Sequence, residues 1–424
     1  MNYFKDKPYN FSTVFISLSL IIYPATVLLI PKINGLIFAL FALSGLVYLF
    51  IHRQASMKAS RDETQLYLSV SLFFIVSLFI TVIGGFEYKA IGKYLHMILL
   101  IPVYIYLRHC GVKLFSIWYG LAIGAIVAAG IAIYEVGYLK QGRAHSLTHP
   151  IIFGDLALVM GAMSMAGLGW FKQRSNGQTI LPVFAFICGI IASALAVARG
   201  GWVSLPFLVV VFLWYVKSHF SFRQIVLSVM LFIALLGMLY VVPQTKVSLQ
   251  VDRTLTSLQQ YGDSEIKSGH RGTSVGTRLE MWQASWKMFL DNPLIGVGWG
   301  HYQEHAKVQV EQGLRNKSAA TFDHPHSEYF SSLAHAGIFG FIVLLLLFLI
   351  PARLFVKYIK HGKIADTRRL ALAGLVLIVA YMAFGISEPM LYRSRSVNFF
   401  AFYLAVFMAA IYGQENSEVV SRKS

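Results

Sequence analysis

The sequence predicts an all-α integral membrane protein of about twelve transmembrane helices, with one large segment outside the bilayer. Three observations predict it. The 424 residues are 57% hydrophobic and only 13% charged, where a soluble globular chain carries about 25% charged residues. Apolar runs recur along the chain, each close to the roughly 20 residues that cross a bilayer. The basic residues gather in the short segments between those runs, as topogenic charge does.

The first run, 11–30, is too long for a signal-peptide core and has no small-residue cleavage site, so it reads as the first span. Further spans are expected at 34–51, 65–83, 91–107, 114–138, 150–171, 179–198, 202–216, 224–242, 336–352, 369–387 and 396–412. An even number puts both termini on one side. With that side cytoplasmic, 19 of the 36 Lys and Arg lie in inside segments, and eight lie in the short outside loops. The other nine fall in 243–335 beside nine acids, and long loops translocate largely regardless of charge. The expected organisation is therefore spans one to nine in 1–242, a large outer loop in 243–335, and spans ten to twelve with a cytoplasmic tail in 336–424. The formal charge of +17 is the charge of loops and of phospholipid contact, and it points away from nucleic acid. Cys110 and Cys188 form no spacing motif, which argues against a disulfide or metal framework.

Within the outer loop, Leu279, Met281, Trp282, Trp286, Met288 and Phe289 alternate with Arg278, Glu280 and Lys287. The pattern predicts an amphipathic helix over about 276–290, lying on the membrane. Asp291-Asn292-Pro293 stops it, and Gly296, Gly298 and Gly300 permit a turn. Before it, 244–276 is polar and expected to be flexible. After it, 327–336 leads into the tenth span.

Charge at membrane depth is costly and marks function by default. On the outer side it is cationic: Arg143 and His145 before span six, Arg199 followed by Gly200 and Gly201, Arg278 opening the loop helix, and Arg393 and Arg395 before the last span. Arginine suits a pyrophosphate because its fork bonds two oxygens and keeps its charge. For Arg199 the plainer reading is a snorkelling interface residue, but two glycines beside it let backbone or ligand approach. For Arg393 and Arg395 headgroup anchoring is the plainer reading. The densest titratable cluster is His324-Pro325-His326-Ser327-Glu328. Histidine is the usual general base near neutral pH, and Glu328 or Asp323 is placed to orient a ring. A His-x-His pair with a carboxylate can also hold zinc, yet no second ligand pair at standard spacing follows, so no metal is expected. Asp155, Glu135 and Glu388 sit in or at the end of spans. They read as partners for outer arginines, or, in a lipid-linked glycan transporter, as a proton relay. No internal repeat is apparent, and a long one-sided loop fits alternating access poorly.

Three motifs together resemble the O-antigen ligase and polymerase superfamily. They are Thr277-Arg278-Leu279-Glu280-Met281-Trp282, Asp291-Asn292-Pro293-Leu294-Ile295-Gly296-Val297-Gly298 and His326-Ser327-Glu328, with Ala198-Arg199-Gly200 similar to a further arginine motif and Arg143 to another. Ser327 stands where the family more often has Asn. The resemblance implies a GT-C-like glycosyltransferase of the bacterial inner membrane, with cytoplasmic termini and a periplasmic active site. Its substrates would be an undecaprenyl-pyrophosphate-linked O-antigen donor and a lipid A–core acceptor, both met at the level of the membrane lipids, with no cofactor. Chain size and the single main loop look most like the ligase branch; the alternative is an O-antigen polymerase. On this reading His326 and Glu328 are catalytic, and Arg199, Arg278 and Arg143 bind pyrophosphate. His324, His145, Arg393 and Arg395 form a second tier of candidates.

Overall fold

The structure, a computed structural model, describes residues 11–30, 32–52, 59–84, 88–217, 222–241, 247–262 and 272–421. Its spanning half begins with α1 (Phe11–Leu29), α2 (Ile33–Ile51), α3 (Arg61–Ile83), α4 (Tyr88–Cys110) and α5 (Leu114–Ile133). There follow α6 (Pro150–Ala166), the short α7 (Leu168–Lys172), α8 (Ile180–Leu195), α9 (Arg199–Val216) and α10 (Phe222–Val241). A cap is built from α11 (Val247–Gly262), α12 (Ser274–Asp291) and α13 (Tyr302–Glu311), and α14 (Glu328–His361), α15 (Ala365–Phe384) and α16 (Ser394–Ser421) complete the bundle. No strand occurs among the described residues. Every expected span coincides with a helix. Nine of the described helices are long and apolar enough to cross a bilayer, and Tyr94–Cys110 and Pro150–Ala166 are shorter apolar helices.

Polar pairs lock the bundle at the end away from the cap. Glu63 on α3 accepts from Arg108 and Tyr104 of α4, each at 2.6 Å. Asp62 accepts from Lys357 and Tyr358 of α14, each at 2.7 Å. A charge buried near a membrane is tolerated when it is paired in this way; the first group ties α3 to α4 and the second ties α3 to α14.

The cap differs from its sequence expectation in two respects. The polar stretch 244–276 contains a regular helix, α11. And the apolar stripe of α12 faces protein: Met281, Ala284 and Met288 are buried with Tyr302, Ala306, Ala319 and Ala334 in a small core, while Trp286 and Leu290 stay exposed. A buried Glu280 closes this core, accepting from the Tyr261 hydroxyl at 2.7 Å and from Asn316 N at 2.8 Å.

The cap is joined to α14 at a break in that helix. Gly337 has φ 59° and ψ −155°, a conformation open essentially only to glycine. The turn 293–298 fills the gap that the break leaves in the helical ladder. Val297 N and Gly298 N donate to Ala334 O and His335 O at 2.8 and 3.0 Å, while Ile338 N and Phe339 N donate to Pro293 O and Leu294 O at 2.8 and 3.4 Å. A Cβ on Gly337 would lie 2.5 Å from Leu294 O. The glycine-rich turn read from the sequence is thus half of a joint whose other half lies some 40 residues downstream.

Candidate active site beneath the helical cap

Under the cap lies a cavity of about 1230 Å³, walled by the ends of α6 and α9, by α11 and α12, and by the loop 316–326. Arg143, His149, Arg199, Arg253, Arg278, Lys317 and His326 line it, and no carboxylate does so among the described residues. Three of the arginines come from the sequence motifs; His149, Arg253 and Lys317 come into view only in three dimensions.

The arginines are fixed by different means. The chain from α8 to α9 turns through Val197, at φ 53°, and the Arg143 loop docks on that turn. Ala144 N donates to Leu195 O at 3.0 Å, and the Arg143 guanidinium donates to Ala196 O and Val197 O at 3.0 and 3.2 Å. Arg199, the first residue of α9, donates to the hydroxyls of Thr254 (3.3 Å) on α11 and Ser274 (3.2 Å) on α12. The glycines beside it admit neighbouring protein: a Cβ on Gly201 would meet Asp155 Oδ1 at 2.5 Å, and one on Gly200 would meet Ser387 Oγ at 2.2 Å. Arg278 is half-buried near the start of α12, its fifth residue. Burial pushes its guanidinium below the ordinary value, opposed by the fields of Glu388 and Asp155 and reinforced by that of Arg143. Arginine nonetheless stays protonated in proteins, so desolvation here makes a cation that favours an anionic ligand.

His326 stands at the wall of the cavity with φ 48°, a strained backbone for a non-glycine residue. The corner after it is held firmly. Glu328 N and Ser327 Oγ both donate to Gly385 O, at 2.8 and 3.2 Å, and Trp282 Nε1 donates to Pro325 O at 3.0 Å. His326 Nδ1 lies 2.9 Å from Glu388 Oε2, and Glu388 is fully buried. Burial pushes the Glu388 carboxyl up, but the hydrogen bond and charge of His326, with His324 and Arg393, outweigh it and hold the group below its usual range. A proton on Nδ1, held by this carboxylate, leaves the Nε2 lone pair free.

The orienting role expected of Glu328 therefore falls to Glu388. The Glu328 carboxylate accepts from Leu391 N at 2.7 Å and belongs to a separate small pocket with Tyr94 and Trp299. Two positions on in a starting helix, a side chain points away from the one before it, and Ser327 and Glu328 open α14. Of the second-tier candidates, His324 pairs with Asp323 at 2.6 Å and stacks on Tyr392 at 5.2 Å. The His324 hydrogen bond and charge hold the Asp323 carboxyl well below its usual range. Arg393 reaches Glu388 Oε1 at 3.7 Å, the pairing of a span-end carboxylate with an outer arginine expected for Glu388. His145 and Arg395 do not line the cavity. Among the described residues, Glu135 and Asp155 form no ion pair with an arginine: Glu135 accepts from His145 N and Ser146 N at 2.8 and 3.0 Å, and buried Asp155 meets no hydrogen-bond partner. Ligand atoms of His324, His326 and Glu388 lie within 4.8 Å of one another, the spacing of a group that can hold a metal ion.

A helical membrane bundle capped on one side, over an arginine-lined cavity with a carboxylate-held histidine at its wall, has the make-up of a membrane enzyme. Comparison with known proteins agrees. The family model described as O-antigen ligase matches residues 184–345, from α8 through the cap into α14. An uncharacterized protein of Haemophilus influenzae is 26% identical over 393 residues, covering 92% of this chain and 96% of its own.

Proposed function

We propose that this protein is an O-antigen ligase, transferring O-antigen polysaccharide from undecaprenyl pyrophosphate to a sugar hydroxyl of lipid A–core at the periplasmic face of the inner membrane. The observation that carries the reading is one cavity that gathers several cations and, among the described residues, no lining carboxylate, with His326 at its wall and that ring's Nδ1 held by Glu388. His326 Nε2 takes the proton of the acceptor hydroxyl. The hydroxyl oxygen bonds to the donor's anomeric carbon, and the bond from that carbon to the pyrophosphate oxygen breaks, its electron pair leaving with undecaprenyl pyrophosphate. Glu388 holds the ring and stabilises the imidazolium. Arg199 and Arg278, with Arg143, bind the pyrophosphate and stabilise the charge growing on it, where preorganised cations act most strongly. Direct displacement inverts the anomeric carbon, and fixing two amphiphiles at one depth supplies orientation. In this scheme the reaction needs no metal.

The test uses purified protein in nanodiscs with lipid-linked O-antigen and rough lipopolysaccharide, with and without EDTA. The expected outcome is a ladder of glycan on lipid A–core that survives EDTA and disappears in His326→Ala. Longer lipid-linked glycan with no transfer to core would mean a polymerase. No covalent change would turn the reading toward transport.

A further inference from the structure

Behind the wall of the cavity, His324 is 2% exposed, and its Nε2 is buried with no hydrogen-bond partner among the described residues. An unpartnered polar atom in such a place is uncommon and costs free energy unless something meets it. Its other nitrogen is committed to Asp323 at 2.6 Å, and a carboxylate on one nitrogen is the usual outer support of a metal-binding histidine. The His324 ring centroid stands 4.6 Å from that of His326. His326 in turn meets Glu388 with Nδ1 2.9 Å from Oε2, a little under the edge of about 3.3 Å that two zinc ligands at about 2.0 Å span in a tetrahedron.

We infer that His324, His326 and Glu388 form a three-ligand site for a divalent transition metal such as Zn²⁺, and that occupancy silences the enzyme. Two imidazoles and a carboxylate favour zinc and its neighbours over magnesium or calcium, and the fourth position is left for water. A metal entering between His326 Nδ1 and Glu388 takes the Nδ1 lone pair, so the single N–H proton of the neutral ring passes through water from Nδ1 to Nε2. The Nε2 lone pair that takes the acceptor's proton is then gone. Arg393, 3.7 Å from Glu388 Oε1 and partly exposed, is the cation such a metal would lie near, and its long side chain can move aside. The silencing half of this inference rests on His326 as the base; the binding half does not.

Protein in detergent, stripped with EDTA and desalted, would be titrated with ZnCl₂ by calorimetry, with MgCl₂ as the control. One zinc site per chain is expected, weakened at least tenfold in His324→Gln and, through lost support of the ring, in Asp323→Asn. A zinc-dependent rise in melting temperature, present in the parent and absent in His324→Gln, would show that the variant folds and has lost the site. Absence of a site, or a site unchanged in both variants, overturns the inference. In ligation assays, zinc should suppress transfer reversibly, EDTA should restore it, and the suppressing concentration should rise at least tenfold in His324→Gln relative to that variant's own activity. Ligation stimulated by zinc would overturn the silencing. If no ligation occurs under any condition, the proposed function fails while the calorimetric result still decides the metal site.

Discussion

His326 sits in a left-handed backbone conformation that its neighbours impose, and the ring it presents is aimed by a carboxylate 62 residues away. Replacing it with alanine should lower ligation about 100-fold or more, the usual worth of a general base, while donor binding changes little. Glu388→Gln keeps the shape but loses the charge, and should cut turnover clearly more than it raises the acceptor KM. Glu328→Gln should leave the reaction's pH profile in place, because that carboxylate is bound to Leu391 N. The depressed Glu388 group also sets a stability trend. Its folded value lies below its unfolded one, so its contribution is present above the ordinary carboxylate range, near pH 4.3, and fades as pH falls through the folded value. Melting curves of parent and Glu388→Gln between pH 3 and 7 should differ near neutrality and converge at the acid end. Sequence spacing located His326 and the three arginines because each sits in a short local motif. It named Glu388 only as a partner for an outer arginine, a pairing Arg393 makes; the partnership with His326 depends on the corner after α15 folding back onto Ser327, and the orienting role was credited to Glu328 on adjacency alone.

At the scale of elements, the amphipathic period of α12 was readable, but its partner was not: an apolar stripe fits lipid and a neighbouring helix equally well until Tyr302 and Ala319 are brought beneath it. α11 escaped although it is 16 residues long and amphipathic, because the polar composition of 244–276 was weighed above its helical period. The joint between the 293–298 turn and the break at Gly337 makes a sharper prediction. Gly337→Ala combines a Gly-only backbone with overlap against Leu294, and should cost at least about 1–3 kcal/mol. The melting temperature in detergent should fall, and ligation with it. Gly130→Ala, with open space around the position, is the matched control and should be neutral within error.

For the whole molecule, hydropathy and charge bias revealed the bundle almost completely, because bilayer thickness sets helix length directly. The sidedness drawn from charge is open to a direct test. Cys110 and Cys188 would first be replaced by serine. Leu314→Cys, exposed on the cap, should then react with a membrane-impermeant maleimide added to the periplasmic side of spheroplasts. Gln173→Cys, exposed at the opposite end beyond α7, should react only after lysis. The reverse pattern would place the cavity in the cytoplasm and remove the proposed substrates.

The backbone joint at Gly337 also works as a ruler. His326 lies 11 residues before that joint on the same stretch of chain, and Glu328 begins the helix that carries it into the membrane. The height of the His326 ring relative to the bundle is therefore set by covalent and hydrogen-bonded lengths, not by how the cap happens to float. On the proposed reading, an acceptor would be measured as well as recognised: a sugar hydroxyl displayed one residue too high or too low on its lipid stalk would miss the nitrogen even with every charge satisfied.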